Sequence, residues 1–128
     1  MKHLLLIATM LLTGCMTTHS PAKAPNISIN QAILDGDIKV IKQHLAAGAD
    51  VNSKDAGGWT PLHWAAGEGY KKAIKLLLSN GANINATEVT GRTPLDYAMT
   101  TPETRIAALL RKYGAKTAKE LRAEKGGK

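Results

Sequence analysis

The chain predicts an all-α solenoid of about three stacked helix-turn-helix units, joined by hairpin-like fingers and closed by a short C-terminal helix. Three observations carry that expectation. Thr60-Pro61-Leu62 returns thirty-three residues later as Thr93-Pro94-Leu95. Gly48-Ala49-Asp50-Val51-Asn52 returns at the same interval as Gly81-Ala82-Asn83-Ile84-Asn85, and Gly114-Ala115 opens a further copy. Between these markers apolar residues fall at helical spacing, as in Ile74, Leu77 and Leu78. A fixed period of this length is the mark of a stacked-repeat architecture, in which each unit buries its apolar face against its neighbours.

Composition narrows the reading. A chain of 128 residues has room for one domain. Two Trp, three Tyr and no Phe suit helices stacked through small residues better than one large aromatic core. The net charge is +7, but residues 111–128 hold seven Lys/Arg against two Glu, and so carry +5 of it. The repeats are then close to neutral, and nucleic acid is not an expected partner. Cys15 is the only cysteine, which excludes an intramolecular disulfide and any multi-cysteine metal site.

The first element is the amino-terminal segment. Met1-Lys2-His3 is a short basic start, and residues 4–12 are apolar apart from Thr9. A spanning helix needs about 20 apolar residues, so this run reads as a secretory signal over residues 1–14. It ends in Leu12-Thr13-Gly14-Cys15, which resembles the bacterial lipoprotein cleavage box. The resemblance implies cleavage before Cys15, diacylglycerol on its sulfur and an anchored protein in the bacterial cell envelope. With no Asp after the cysteine (Met16 stands there), it implies the outer membrane, periplasmic side, where the organism has one. Residues 15–25 then form the lipidated cysteine and a polar tether with Pro21 and Pro25.

Residues 26–58 make the first unit. Ile29, Ala32 and Ile33 suit one helix face, Ile38, Ile41 and Leu45 a second, with Asp35-Gly36-Asp37 as the turn. The second unit, residues 59–91, is the complete one, with Thr60 placed to cap a helix and Pro61 in its first turn. Leu62, Ala65 and Ala66 form its inner stripe, Gly67-Glu68-Gly69 breaks the helix, and Ile74, Leu77 and Leu78 are buried by the next. Gly81 stops that helix, and residues 83–91 run outward as a finger. The third unit, residues 92–116, repeats the entry at Thr93-Pro94-Leu95. Thr101-Pro102 offers a second cap-and-proline signal, and Ile106, Leu109, Leu110 and Tyr113 extend the core. Residues 117–128 open with the capping-box sequence Thr117-Ala118-Lys119-Glu120 and predict a short basic helix and tail.

The unit TPLHWAA…GY…IKLLLSNGANIN resembles the ankyrin repeat, over roughly residues 27–118. That resemblance implies a non-catalytic module that binds a protein on the concave side of the stack. In that family the histidine of the TPLH turn, here His63, bonds the turn threonine, here Thr60. The implied contact positions are Lys54, Ala56, Gly57 and Trp59 in the first finger and Thr87, Val89, Thr90 and Arg92 in the second. On the helices they are Leu34, Asp35, Gly67, Glu68, Thr100 and Thr101. Trp59 leads them, because an exposed Trp is the residue type that dominates binding hot spots. Packing over the neighbouring finger, against Arg92, is the competing role for it.

No residue grouping supports catalysis, so no enzyme activity, cofactor or metal is expected. His63 and Glu68 lack a partner histidine at ligand spacing, and Gly67-Glu68-Gly69-Tyr70-Lys71-Lys72 lacks the pattern of a phosphate loop. A monomer is expected, with an unidentified protein partner and the membrane, through Cys15, as its contacts. The second functional reading places Lys112, Lys116, Lys119, Arg122 and Lys125 against anionic lipid or a cell-envelope polymer, the repeats serving as a spacer.

Overall fold

A computed structural model describes residues 26–126. The expected signal, Cys15 and the tether lie outside them. Seven helices follow one another: α1 (Ile29–Asp35), α2 (Ile38–Ala46), α3 (Pro61–Glu68), α4 (Lys71–Ser79), α5 (Pro94–Ala98), α6 (Thr104–Lys112) and α7 (Ala118–Gly126). There is no strand among the described residues.

Helices α1, α3 and α5 form an inner layer and α2, α4 and α6 an outer one. Contact is more extensive between α3 and its inner neighbours than between α4 and its outer ones. Side-chain size explains this. The inner helices meet through Ala32, Ala65, Ala66 and Ala98, all fully buried. The outer helices fill the core with Ile41, Ile74, Leu77 and Leu110. Small residues let the inner helices approach closely, while bulkier ones fill the space under the outer layer. Removing one of those outer-layer side chains leaves a cavity, which costs about 2–5 kcal/mol in a close-packed core.

Local chemistry sets the helix starts. Thr60 and Thr93 each accept from the amide three residues on, His63 and Asp96 respectively, and Pro61 and Pro94 occupy the first turn. Ser28 and Asp37 cap α1 and α2 in the same way. Asparagines tie one unit to the next. Asn52 accepts from the Asn83 amide at 2.7 Å and donates to the Gly81 carbonyl at 3.2 Å. One repeat on, Asn85 accepts from Lys116 at 2.7 Å and lies 3.5 Å from the Gly114 carbonyl.

The structure corrects the sequence reading at four points. Gly67 is helical and only Gly69, at φ 75°, ends α3. Thr101-Pro102 does not cap α6, which starts at Thr104 behind Glu103 and has no side-chain cap. The position of Gly36 and Gly69, both left-handed, is taken in the third unit by Pro102, which cannot reach positive φ. Proline also steers Thr101 away from helical geometry, so α5 ends after five residues and a longer turn follows. Tyr113 is 49% exposed and stands outside the core. Leu78 is half-buried, while Ala73 of the same helix is buried.

As expected, no fourth finger forms. Thr117 accepts from the Glu120 amide at 3.1 Å, and the Glu120 carboxylate accepts from the Thr117 hydroxyl at 3.0 Å as well as from Arg111. Asp96 accepts from the Ala118 amide at 2.8 Å, holding the start of α7 against the third unit.

Candidate functional site

The inner face and the two fingers are built twice on one plan. In the first finger the Asp55 carboxylate accepts from the amides of Gly57 and Trp59, both at 2.9 Å, and from the Trp64 indole at 3.1 Å. Thirty-three residues on, Glu88 accepts from the amides of Thr90 and Arg92 at 2.6 and 3.1 Å, the Thr90 hydroxyl at 2.6 Å and the Tyr97 hydroxyl at 2.9 Å. Each carboxylate closes its finger and ties it to the inner helix behind. Burial pushes the Glu88 carboxyl up, but those donors from Thr90, Arg92 and Tyr97 together outweigh it and hold it at about 2. The Tyr97 hydroxyl is pushed up in turn, first by burial and then by the bond to Glu88.

Neither carboxylate was among the expected site residues. Their spacing was the available signal, since Asp55 and Glu88 stand one period apart, as do the donors Trp64 and Tyr97. The pair differs by one methylene, which obscures the match.

The fingers touch each other. The Val89 amide donates to the Gly57 carbonyl at 3.0 Å. Gly58 has φ 81°, and a Cβ there would sit 3.0 Å from the Val89 nitrogen and 3.2 Å from Glu88 Cα. Only glycine fits between the two fingers.

Behind the fingers, His63 is fully buried. The Thr60 amide donates to Nδ1 at 3.0 Å, so that nitrogen is the acceptor and Nε2 carries the proton. Nε2 then donates to the Arg92 carbonyl of the next unit at 3.1 Å. Burial lowers the His63 pKa, and the ring is neutral. The expected bond to the turn threonine is present, with a 2.9 Å contact to its hydroxyl. Asp96, at the same position one unit later, accepts from the Thr93 amide at 2.9 Å and from the Thr93 hydroxyl at 3.1 Å. That hydroxyl also reaches the Lys116 carbonyl at 2.8 Å.

Trp59 is half-buried rather than exposed. Its ring lies 4.3 Å from Tyr97, 4.7 Å from Trp64 and 5.7 Å from His63, centroid to centroid. Arg92 sits over Tyr97, at 5.7 Å from the ring, rather than against Trp59. A Trp surrounded by other rings is held by its own fold, and only its remaining edge meets solvent.

The other candidates fall into two groups. Lys54, Thr87, Val89 and Arg92 are exposed on the fingers, with Val89 the most exposed large apolar side chain, at 73%. Glu68 is exposed at the far end of α3 and Thr100 in the turn after α5, and Thr101 is half-buried with its hydroxyl donated to the Ala98 carbonyl. Helix α3, eight residues long, separates the groups by about 12 Å. Trp64 and Tyr97, both half-buried, lie between them. No three His, Cys, Asp or Glu side chains among the described residues are placed to hold a metal ion.

Comparison with known proteins agrees with this architecture. A family model for ankyrin repeats, three copies, matches residues 29–120. Protein phosphatase 1 regulatory subunit 27 of human is 40% identical over 43 residues, which is 34% of this chain and 28% of that protein. Protein VAPYRIN-LIKE of Medicago truncatula is 51% identical over 39 residues, 30% of this chain and 8% of the relative. The matched stretches thus span little more than a quarter of these relatives at most. With the period, the capped inner helices and the finger geometry in place, and the family match covering most of its length, the chain belongs to the ankyrin-repeat family.

Proposed function

We propose that this chain is a bacterial lipoprotein that holds an ankyrin stack in the cell envelope and binds a partner protein through its inner face and fingers, without catalysis of its own. The observation that supports the binding face most is the rigid, doubly built finger pair. Val89 and Arg92 project from it, beside the half-buried rings of Trp59, Trp64 and Tyr97. Rigid aromatic surface beside an arginine is the composition of interface hot spots. One relative is named a regulatory subunit of a phosphatase, a name for a protein that works through another.

The anchor reading rests on residues 4–15 of the sequence. No helix among the described residues is long and apolar enough to cross a membrane. Acyl chains on Cys15 would supply an anchor, since each buried methylene contributes about 0.8 kcal/mol and two chains or more hold a protein stably.

The reading that gives the C-terminal segment the binding role has less support. Of its five cations Lys116 pairs with Glu124, and the neighbouring Arg111 forms a two-pronged pair with Glu120.

Two experiments test the proposal. Cys15→Ser should abolish acyl labelling and leave the chain removable from membranes by high salt; salt-resistant membrane retention without the label sinks the anchor. Val89→Asp changes only an exposed finger side chain, so the stack should melt as before while co-purification of a discrete envelope protein is lost. An unchanged set of co-purifying proteins would sink the inner-face assignment. Trp59→Ala is the poorer probe, since it also removes ring packing from the fold.

A further inference from the structure

Charge in this molecule is sorted by layer. Each inner helix carries one carboxylate and no Lys or Arg: Asp35, Glu68 and Asp96. The outer helices carry no carboxylate at all. Lys39 and Lys42 stand on α2, Lys71, Lys72 and Lys75 on α4, and Arg105 leads the cations of α6. The near-neutral total of the repeats is therefore a cancellation between two opposed faces.

The cations form a lattice. Lys39, Lys72 and Arg105 are one period apart, as are Lys42 and Lys75, so each set runs across the stack. Within a helix, Lys39 and Lys42, and Lys72 and Lys75, are three apart and share a face. All five are exposed. None of the four lysines lies within ion-pairing distance of a carboxylate among the described residues. The nearby acids are occupied: Asp37 caps α2, and Glu103 pairs with Arg105.

Apolar grooves run between the cations, because the outer helices splay apart. One, between α4 and α6, is lined by Ile106 and Leu109 with Lys71, Arg105 and Lys112 at its sides and Glu103, the partner of Arg105, among them. The other, between α2 and α4, is lined by Leu45 and Leu76 beside Lys42.

We propose that the outer face is a docking surface for an anionic phospholipid membrane, with the lysine lattice against the headgroups and the leucine-lined grooves at the level of the glycerol and upper acyl chains. A cationic face with apolar seams is the chemistry of interfacial membrane binding. A single-stranded nucleic acid would call for stacking platforms, and α2, α4 and α6 carry no Trp, Tyr or Phe. The surface needs no acyl anchor, and it shares only Lys112 with the C-terminal set of cations. With the outer face on lipid, the inner face points away from it; that consequence for partner binding rests on the interaction-module reading.

The test uses full-length protein carrying Cys15→Ser, so that no acyl chain contributes. It is sedimented with vesicles of phosphatidylcholine alone and with vesicles half phosphatidylglycerol. The apolar residues 4–12 act alike on both, so the ratio of the two affinities reports the charged face. The ratio should be about a hundredfold or more at low salt and shrink as salt rises. Lys39→Glu, Lys72→Glu and Lys75→Glu together should lower binding to the anionic vesicles by on the order of a hundredfold, at about fivefold for each cation lost. The same three changed to Gln serve if the charge-reversed chain fails to fold. Lys119→Glu, Arg122→Glu and Lys125→Glu together should change it little. A ratio near one overturns the proposal, as does loss confined to the C-terminal triple. Binding of duplex DNA as tight as that of the anionic vesicles, with loss of both in the lattice triple, would overturn the lipid assignment in favour of a general polyanion face. Acyl labelling of the unmodified chain decides the anchor separately.

Discussion

His63 and Glu88 show how single protonation states hold the fingers in place. The His63 ring must stay neutral to accept from Thr60 and donate to Arg92, and burial lowers its pKa from 6.5. The unfolded chain therefore takes up a proton more readily, and stability falls as pH drops below about 6.5. His63→Gln should flatten that part of the profile; an unchanged slope of urea midpoint against pH would show that His63 is not responsible. Glu88 titrates lower, from an ordinary 4.5 to about 2. Its contribution is complete above 4.5 and is lost as pH falls toward 2. Removing one donor by Tyr97→Phe should cost about 1–2 kcal/mol, since a hydrogen bond to a charged group is worth more than a neutral one, and should leave helical circular dichroism intact at neutral pH. A Tyr97→Phe chain as stable as the parent would remove Glu88 from the account of the finger. Asp55 plays the matching part in the first finger, with the Trp64 indole as its donor.

Among the elements, the third unit is the one whose inner helix is cut short. Helix α5 has five residues against eight in α3, because Pro102 occupies the left-handed position that Gly69 fills one unit earlier. Pro102→Gly should let α5 extend, read as slowed amide exchange at residues 99–101; exchange as fast as in the parent would place the cause elsewhere. The asparagine bridges matter as much as the helices. Asn52→Ala strips a partner from both the Asn83 amide and the Gly81 carbonyl, which should cost about 1–2 kcal/mol and lower the melting temperature by several degrees. Most of these elements were legible in advance. The period located Thr60, Thr93 and the glycine stops, and the TPLH resemblance located the His63 bond. Thr101-Pro102 misled because the same two residue types that open a helix also end one, and only the position of Pro102 against Gly36 and Gly69 separates the cases. The half-buried state of Trp59 was illegible for another reason. It depends on where Trp64 and Tyr97 project across two units, which periodicity alone does not give.

For the whole molecule, the consequence of stacking is a division of faces. Repetition places equivalent residues in columns, so a preference at one position is multiplied across the stack. The inner column gains rings and carboxylates at Trp64, Tyr97, Asp35 and Glu68, and the outer column gains lysines. This sorting was hidden in the sequence by summation, since net charge counts both layers together. Only the assignment of alternate helices to opposite sides reveals it. A thin stack of three units stabilises itself only through nearest neighbours, so damage to either face should be felt as loss of the fold only where core side chains are touched. Surface changes such as Val89→Asp or Lys75→Glu should leave melting within about 0.5 kcal/mol of the parent while altering what the chain binds. The most direct measurement is photo-crosslinking in living cells, with a reactive side chain placed at Arg92 on the fingers and, separately, at Lys75 on α4. The account predicts a discrete protein adduct from position 92 and lipid adducts without it from position 75. The same protein adduct from both positions, or from position 75 alone, would contradict it.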